Sequence, residues 1–372
     1  MTLGERYLEL ALRLGRLAPE LVDGPARPRE LAARVAAEPP PAASELGAQA
    51  RDLRAAIEAE EPDTARRRWL GAQLSALETA CQVLGGERVG YRDLVERCHG
   101  VRPALVPEES FAAAHATLED ALPGRGPARE RYAAWLAAQE VPADRVLARL
   151  TALADDLRDR TRAAFGLPAG ERAEIELVTG KRWSGFAEYL GDLRTRIEIN
   201  TDLPLHELRL LELAAHEIYP GHHTEHVHKE VALVRERGWA EHTLFLHPTP
   251  QALVAEGLAQ IALEQVGATP ADDTARVVLT AREALLPVRT NIAILLDERG
   301  MSIDDARAYA RRWMLDPDAK IDKAIDHLLT RSWPPYESCY PEGLRLCRAF
   351  AARQPNGFRR LLTEPLTTAD LL

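Results

Sequence analysis

Residues 214–228 read Ala-Ala-His-Glu-Ile-Tyr-Pro-Gly-His-His-Thr-Glu-His-Val-His, and they contain five of the eleven histidines of this 372-residue chain. Glu217 directly follows the first of these histidines. Neutral imidazole is the commonest protein ligand of zinc, and a carboxylate beside a ligand can act as a base on a metal-bound water. The stretch therefore predicts a metal site in which His216 is a ligand.

The spacing differs from the HExxH pattern, in which the two ligands lie one helical turn apart. The position four residues after His216 is Pro220, and a proline inside a helix removes a main-chain donor and clashes with the preceding turn. We therefore expect a distorted helix near Tyr219–Gly221. His222 and His223 are both candidates for the second ligand. An undistorted helix favours His223, because seven residues return to the same face, about 10 Å along the axis.

A third ligand is expected from another helix, and Glu256 is the candidate. It lies among small and apolar residues in a helix predicted from Thr249 to Val266. A lone carboxylate in such surroundings is costly unless it is paired or bound to a metal. The alternative is that Glu256 lies on a partly exposed face with Gln260 and Glu264.

Composition limits the function classes. The formal net charge is −10, the pI is near 5.7, and the chain has no basic run, so we expect no nucleic-acid partner. The amino terminus has no signal-peptide pattern, and no apolar run approaches the roughly 18 to 20 residues of a membrane span. The four cysteines lack CxxC spacing and are few for a disulfide scaffold, so we expect a reducing, cytoplasmic setting and no membrane partner. They are Cys81, Cys98, Cys339 and Cys347.

Helical periodicity dominates the chain, with one exception. Residues 172–202 alternate charged and apolar side chains, which indicates a small antiparallel sheet before the histidine-rich helix. Such a sheet either caps the helical core or binds an extended peptide at its edge. Residues 276–296 predict one long helix through Pro287. The sequence thus predicts a mainly α fold, with an N-terminal helical region over 1–168 and a catalytic region over 169–372.

The segment His216–His223, followed by Glu256-Gly257, resembles the bacterial family known as domain of unknown function 885, whose signature is HExxPGHH with a later EG. Weaker similarity extends over residues 7–23, 200–204 and 339–343, so that the resemblance covers most of the chain. Members of this family are similar to helical zinc peptidases such as thimet oligopeptidase and thermostable carboxypeptidases. The resemblance implies an elongated multi-helix zincin-like fold, one zinc ion per chain and hydrolysis of peptides.

The resemblance also implies roles for individual residues. His216 and His222 match the first two ligands, Glu256 the third ligand and Glu217 the general base. It favours His222 over His223, because the histidine that the family keeps after Pro-Gly is the first of the pair. One departure is Thr224-Glu225, where the family often has Leu-Gln. This change leaves the ligands intact and bears on substrate preference.

A hydrolase of this type also needs a hydrogen-bond donor for the developing oxyanion. The proline-rich loop over residues 331–343 contains two tyrosines. Tyr340 is the predicted catalytic donor, from its match to the family's tyrosine before a glycine, and Tyr336 is the alternative. Tyr336, Arg331 and Arg345 are candidates for substrate binding.

Three functions are compatible with these residues. The first is a zinc metallopeptidase acting on short or unfolded peptides, and the second is a zinc hydrolase of another amide or an ester. The third is a helical binding or scaffold protein whose metal site is structural or lost. A structural zinc usually has four protein ligands, whereas the sequence supplies three candidates and a base, which favours an enzyme.

Overall fold

The computed structural model describes residues 1–25, 27–181, 183–330 and 334–372. Helices predominate and one small sheet lies over residues 172–200, so the prediction of a mainly α fold is confirmed. Within the described residues, no helix is both long and apolar enough to cross a membrane. The four cysteines are buried and form no disulfide.

The first half of the chain is helical. Thr2 and Glu5 form a capping box at the start of the first helix, whose apolar face packs Tyr7, Leu8 and Leu14 against the next helices. The helices are α1 (Leu3–Leu17), α2 (Arg29–Ala37), α3 (Ala43–Glu60), α4 (Thr64–Leu84), α5 (Tyr91–His99), α6 (Glu108–Ala121), α7 (Ala128–Ala137) and α8 (Val146–Phe165). A two-residue strand, β1 (Val22–Asp23), pairs antiparallel with β5 (Phe245–Leu246).

The predicted sheet consists of β2 (Arg172–Val178), β3 (Gly185–Gly191) and β4 (Arg194–Asn200), in the spatial order β2-β4-β3. The β3 and β4 strands form the expected antiparallel hairpin. The β2 strand pairs parallel with β4, which corrects the expectation of an all-antiparallel sheet. The reason is topological, because β4 returns between the two earlier strands and so runs in the direction of β2. The β3 strand is left at one edge.

The helices that follow the sheet carry the histidine-rich stretch. They are α9 (Glu207–Leu213), a π-helical segment (Ala214–Ile218), α10 (His222–Lys229), a second π-helical segment (Glu230–Arg235), α11 (Pro250–Gln260) and α12 (Ala262–Gln265). The Cα of Gly257 in α11 faces Gly343 so closely that a Cβ there would lie 2.3 Å from the Gly343 carbonyl oxygen. Two glycines thus bring the backbones of α11 and the helix carrying Gly343 into contact.

The remaining helices complete the core. They are α13 (Asp273–Leu285), α14 (Pro287–Arg299), α15 (Ile303–Trp313), α16 (Asp318–Leu328), α17 (Cys339–Arg353), α18 (Gly357–Thr363) and α19 (Thr368–Leu371). The prediction of one helix through Pro287 is wrong. Pro287 instead occupies the first turn of α14, where its missing N–H costs no hydrogen bond.

Hydrophobic packing continues across residue 168. Leu150 and Leu157 of α8 belong to the same cluster as Ile197 and Ile199 of β4. Phe111 of α6 is part of the large cluster formed with the helices after residue 250. The division into regions 1–168 and 169–372 stays a prediction.

Candidate metal centre

The helix that carries His216 and Glu217 is distorted at the expected place. Residues 214–218 form a π-helical turn, in which the Tyr219 amide donates to the Ala214 carbonyl. The Gly221 amide then donates to the Ala215 carbonyl at 2.9 Å, and α10 begins at the next residue. Pro220 cannot donate such a bond, so the ordinary ladder ends there. π-Helical turns of this kind are frequent at functional sites.

The distortion brings together the rings of His216 and His222, whose centroids lie 4.7 Å apart at 88°. Glu256 of α11 faces both rings. Its Oε2 lies 3.3 Å from Nε2 of His216, and its Oε1 lies 3.7 Å from Nε2 of His222. One ligand atom from each of these three residues lies within 4.8 Å of the others, and we call them the ligand group.

His223 lies outside the ligand group. Its Nδ1 is 2.7 Å from the Thr195 hydroxyl, its Nε2 is 3.0 Å from Oε2 of Glu171, and its side chain is fully buried. Glu171 also accepts a hydrogen bond from the Tyr219 hydroxyl at 2.6 Å. This buried network ties α10 to the sheet behind the site. The geometry of an undistorted helix favoured His223, because it does not include the change in side-chain direction that the π-helical turn produces.

The ligand group fits a divalent transition metal. Glu256 is 5% exposed, and its Oε2 has no hydrogen-bond partner among the described residues. A buried carboxylate oxygen without a partner carries a desolvation cost that a bound cation would offset. Burial disfavours the ionised form, but His216, His222 and Tyr336 lower the pKa of Glu256 to about 2. Two imidazoles and one carboxylate match the donor set of a catalytic zinc site with an open position.

Glu217 is buried beside the ligand group, and it contributes to raising the pKa of His222. Its carboxylate packs on Gly185, the first residue of β3. A Cβ at Gly185 would lie 2.6 Å from Oε1 of Glu217 and 2.9 Å from its Cγ. The glycine therefore provides the space that the carboxylate occupies. The sequence alone gives no sign of this contact.

Of the two tyrosines in residues 331–343, Tyr336 contacts the ligand group and Tyr340 contacts Tyr336. The Tyr336 hydroxyl donates to Oε1 of Glu256 at 2.5 Å. The Tyr340 ring lies 5.9 Å from the Tyr336 ring at 79°. Arg345, by contrast, is paired with Glu342 at 2.9 Å, and 58% of its side chain is exposed. Arg331 lies outside the described residues.

Glu225 lies one turn after His222 and is buried. Its Oε1 accepts a hydrogen bond from Nζ of Lys229 at 2.5 Å. Burial opposes its ionisation, but Lys229 and His222 lower the pKa of Glu225 to about 2. Burial also lowers the pKa of His222, yet Glu225, Glu256 and Glu217 together raise it to about 9. A carboxylate beside a ligand histidine raises its basicity.

Comparisons with known proteins bear on the fold. No family model matches the chain, and no curated protein matches it. Among solved structures, the chain is similar to one described as "the putative lipoprotein from Colwellia psychrerythraea", with a TM-score of 0.57 and 16% sequence identity. The match covers 89% of this chain and 66% of that protein. At this identity the similarity establishes a shared fold.

Proposed function

We propose that this protein is a zinc-dependent hydrolase that cleaves short or unfolded peptides. The observation that carries the proposal is the ligand group, in which three ligand atoms converge within 4.8 Å around a buried Glu256 oxygen that has no hydrogen bond among the described residues. Glu217 lies beside it as a base. A group of three protein ligands leaves the open coordination position that a catalytic zinc requires and a structural zinc usually lacks.

In this proposal His216, His222 and Glu256 would hold the metal. Zinc, when bound, supplies a Lewis acid and lowers the pKa of a bound water toward about 7. Glu217 takes one proton from the attacking water as its oxygen adds to the carbonyl carbon. The same carboxyl then delivers the proton to the leaving nitrogen as the C–N bond breaks, so that water is consumed and an acid and an amine form. Burial of Glu217 against Gly185 keeps its carboxylate in one position.

A tyrosine hydroxyl is proposed to donate to the carbonyl oxygen as negative charge develops on it. The Tyr336 hydroxyl is engaged with Glu256, which orients that ligand. Tyr340, whose ring contacts the Tyr336 ring, is therefore the better candidate for the oxyanion donor. Burial raises the pKa of Tyr340 well above its ordinary value, so that its hydroxyl keeps a proton to donate.

The position of β3 favours a peptide over another amide or an ester. The strand lies at the edge of its sheet, and its first residue packs on the proposed base. An extended peptide could pair, through main-chain hydrogen bonds, with the edge of β3 that no described strand occupies, and such bonds hold a scissile amide in a fixed register. A small ester has no backbone for such pairing. The cytoplasmic location and the absence of a nucleic-acid partner stay predictions, since the lipoprotein description belongs to the protein from Colwellia psychrerythraea.

The proposal is tested by metal content and one variant. Elemental analysis should find about one zinc per purified chain, and a chain that neither contains nor binds divalent metal would refute the proposal. Glu217→Gln should retain the metal and lose about 100- to 10,000-fold in peptide turnover, the usual contribution of a general base. His206 provides the control. It precedes a glutamate as His216 does, but it lies at the start of α9 in a bridge with Glu140 and outside the ligand group.

A further inference from the structure

Arg289 is a partly exposed residue in an otherwise buried stretch of α14. The neighbouring residues Val288, Thr290, Asn291 and Ile292 are at most 2% exposed. Because consecutive helical positions are about 100° apart, these four leave one face of the helix about 160° wide, and Arg289 lies near the centre of that face. On this face 30% of the Arg289 side chain is exposed. Its guanidinium is therefore accessible to a ligand.

The guanidinium of Arg289 has unused donors. Its Nη1 contacts Glu337, at 3.0 Å from Oε2 and 3.3 Å from Oε1. Its Nε and Nη2 make no hydrogen bond with any residue in the described ranges. A guanidinium has five N–H donors in a planar fork that matches a carboxylate. Arg289 can therefore keep its contact with Glu337 and still bind a second carboxylate.

Arg289 belongs to a group of four cations on four helices, which we call the cationic cluster. Arg209, Arg282 and Lys320 each form an ion pair with Glu212 or Asp316. Lys320, Arg282 and Arg289 lower the pKa of Asp316. The four cations and three carboxylates leave one net positive charge in a chain of net charge −10. The cluster would attract an anion. The cations are Arg209, Arg282, Arg289 and Lys320, and the carboxylates are Glu212, Asp316 and Glu337.

Two tyrosine rings lie between Arg289 and the ligand group. The guanidinium carbon lies 5.8 Å from the centroid of the Tyr340 ring. That ring contacts Tyr336, whose hydroxyl donates to Glu256. A substrate group held by Arg289 would therefore lie beside both tyrosines.

We infer that Arg289 binds a carboxylate of the substrate and so holds the peptide beside the tyrosines of the proposed site. This inference rests on the proposed function. Two sources can supply the carboxylate, a free C-terminus or an acidic side chain. A free C-terminus would make the enzyme a carboxypeptidase.

The test uses the zinc-loaded full chain and three peptides of otherwise identical sequence. The first has a free C-terminus and neutral side chains, the second is its C-terminal amide, and the third is an amide with one internal glutamate. The first should be cleaved with a kcat/KM about 10- to 100-fold above that of the second, the usual effect of a charged hydrogen bond. Equal cleavage of all three would overturn the inference. Preference for the third would assign the carboxylate to a side chain.

Variants link the preference to Arg289. Arg289→Gln should raise KM for the free-acid peptide until it resembles the amide, while Arg289→Lys should keep part of the preference. Glu337→Gln removes the competing carboxylate and should lower KM for the free acid without loss of the arginine. Arg13→Gln is the matched control, since Arg13 is also partly buried and paired with a glutamate at 2.7 Å in the N-terminal helices. An unchanged preference in both Arg289→Gln and Glu337→Gln would contradict the inference.

A binding measurement separates the two proposals. Calorimetric titration of Glu217→Gln with the free-acid and amide peptides does not require turnover. Stronger binding of the free acid that is lost in the double variant Glu217→Gln, Arg289→Gln would support the carboxylate site. This holds even if the original chain hydrolyses no peptide, and in that case only the proposed function fails. Equal binding of both peptides would refute the carboxylate site.

Discussion

The ligand group and the cationic cluster balance their charges differently. In the cationic cluster each cation has a carboxylate of the chain within 3.6 Å. In the ligand group, Oε2 of the buried Glu256 has no hydrogen bond with a described residue. In the cluster the chain therefore pairs every cation with a carboxylate of its own and keeps one positive charge in excess, whereas in the ligand group it leaves a carboxylate oxygen for a partner from outside. The two regions meet at Tyr336 and Tyr340.

The sharpest test of this difference compares two adjacent histidines. His222→Ala removes a member of the ligand group and should reduce zinc binding below detection. His223→Ala removes the partner of Glu171 and Thr195 and should retain zinc, while unfolding stability falls by about 1 to 3 kcal/mol because buried polar groups lose their hydrogen bonds. Zinc titration by calorimetry and urea denaturation measure the two effects. Loss of zinc in His223→Ala with retention in His222→Ala would reverse the assignment of the ligand.

The contact between α11 and α17 holds Glu256 next to the tyrosines, and a second prediction concerns its glycines. A Cβ at Gly343 would lie 2.5 Å from the Leu253 carbonyl oxygen and 2.9 Å from Cα of Gly257, where neither backbone can yield cheaply. Gly343→Ala should cost about 3 kcal/mol or more of unfolding free energy, beyond ordinary overpacking. Gly71→Ala is the control. A Cβ at Gly71 would meet no atom within 4 Å, so alanine there should stabilise α4 by about 0.5 to 1 kcal/mol. Equal effects of the two substitutions in urea denaturation would refute this contact.

A third prediction tests the internal charge balance of the cationic cluster. Burial disfavours ionised Asp316, but Lys320, Arg282 and Arg289 lower its pKa to about 2. Because the folded pKa lies below the unfolded value of about 3.9, Asp316 stabilises the fold above pH 4 and loses this effect as the pH falls toward 2. The contribution is on the order of 2 kcal/mol. Denaturation of the metal-free protein between pH 6 and pH 3 should show Asp316→Asn less stable at pH 6, with a difference that shrinks on acidification. A constant difference would contradict the assignment.

Much of the fold and the members of the candidate site could be predicted from the sequence. Helical periodicity and the period-two stretch gave the mainly α fold and the small sheet, because local patterns reflect which faces are buried. Pro220 indicated the distorted helix, since its chemistry acts within one turn. The parallel pairing of β2 with β4 could not be predicted, because it depends on the position that β4 takes between β2 and β3 in the sheet.

The residues that the sequence did not reveal act through long-range contacts. Gly185 matters because β3 packs on Glu217, and Arg289 matters because its partly exposed guanidinium lies over the Tyr340 ring. The sequence contains many arginines, and none can be assigned to a binding site before its burial and contacts are known. The choice between His222 and His223 needed the pitch of the π-helical turn, which a helical wheel does not contain.

The smallest expected effect concerns Glu225, the carboxylate behind His222. Replacing it with glutamine keeps the size and an acceptor oxygen but removes the negative charge that contributes to raising the pKa of His222. Loss of an outer partner of a ligand histidine typically costs about 10- to 100-fold in metal affinity, and because glutamine removes the charge alone we expect about 10-fold. Lys229 then loses its charged partner at 2.5 Å, so the double variant Glu225→Gln, Lys229→Met separates the cost of an unpaired lysine from the effect on the metal. If the double variant regains stability while zinc affinity stays low, Glu225 acts on the metal through His222. If zinc affinity in Glu225→Gln equals that of the original chain, the carboxylate serves only to pair Lys229, and the ligand group reaches its charge balance without it.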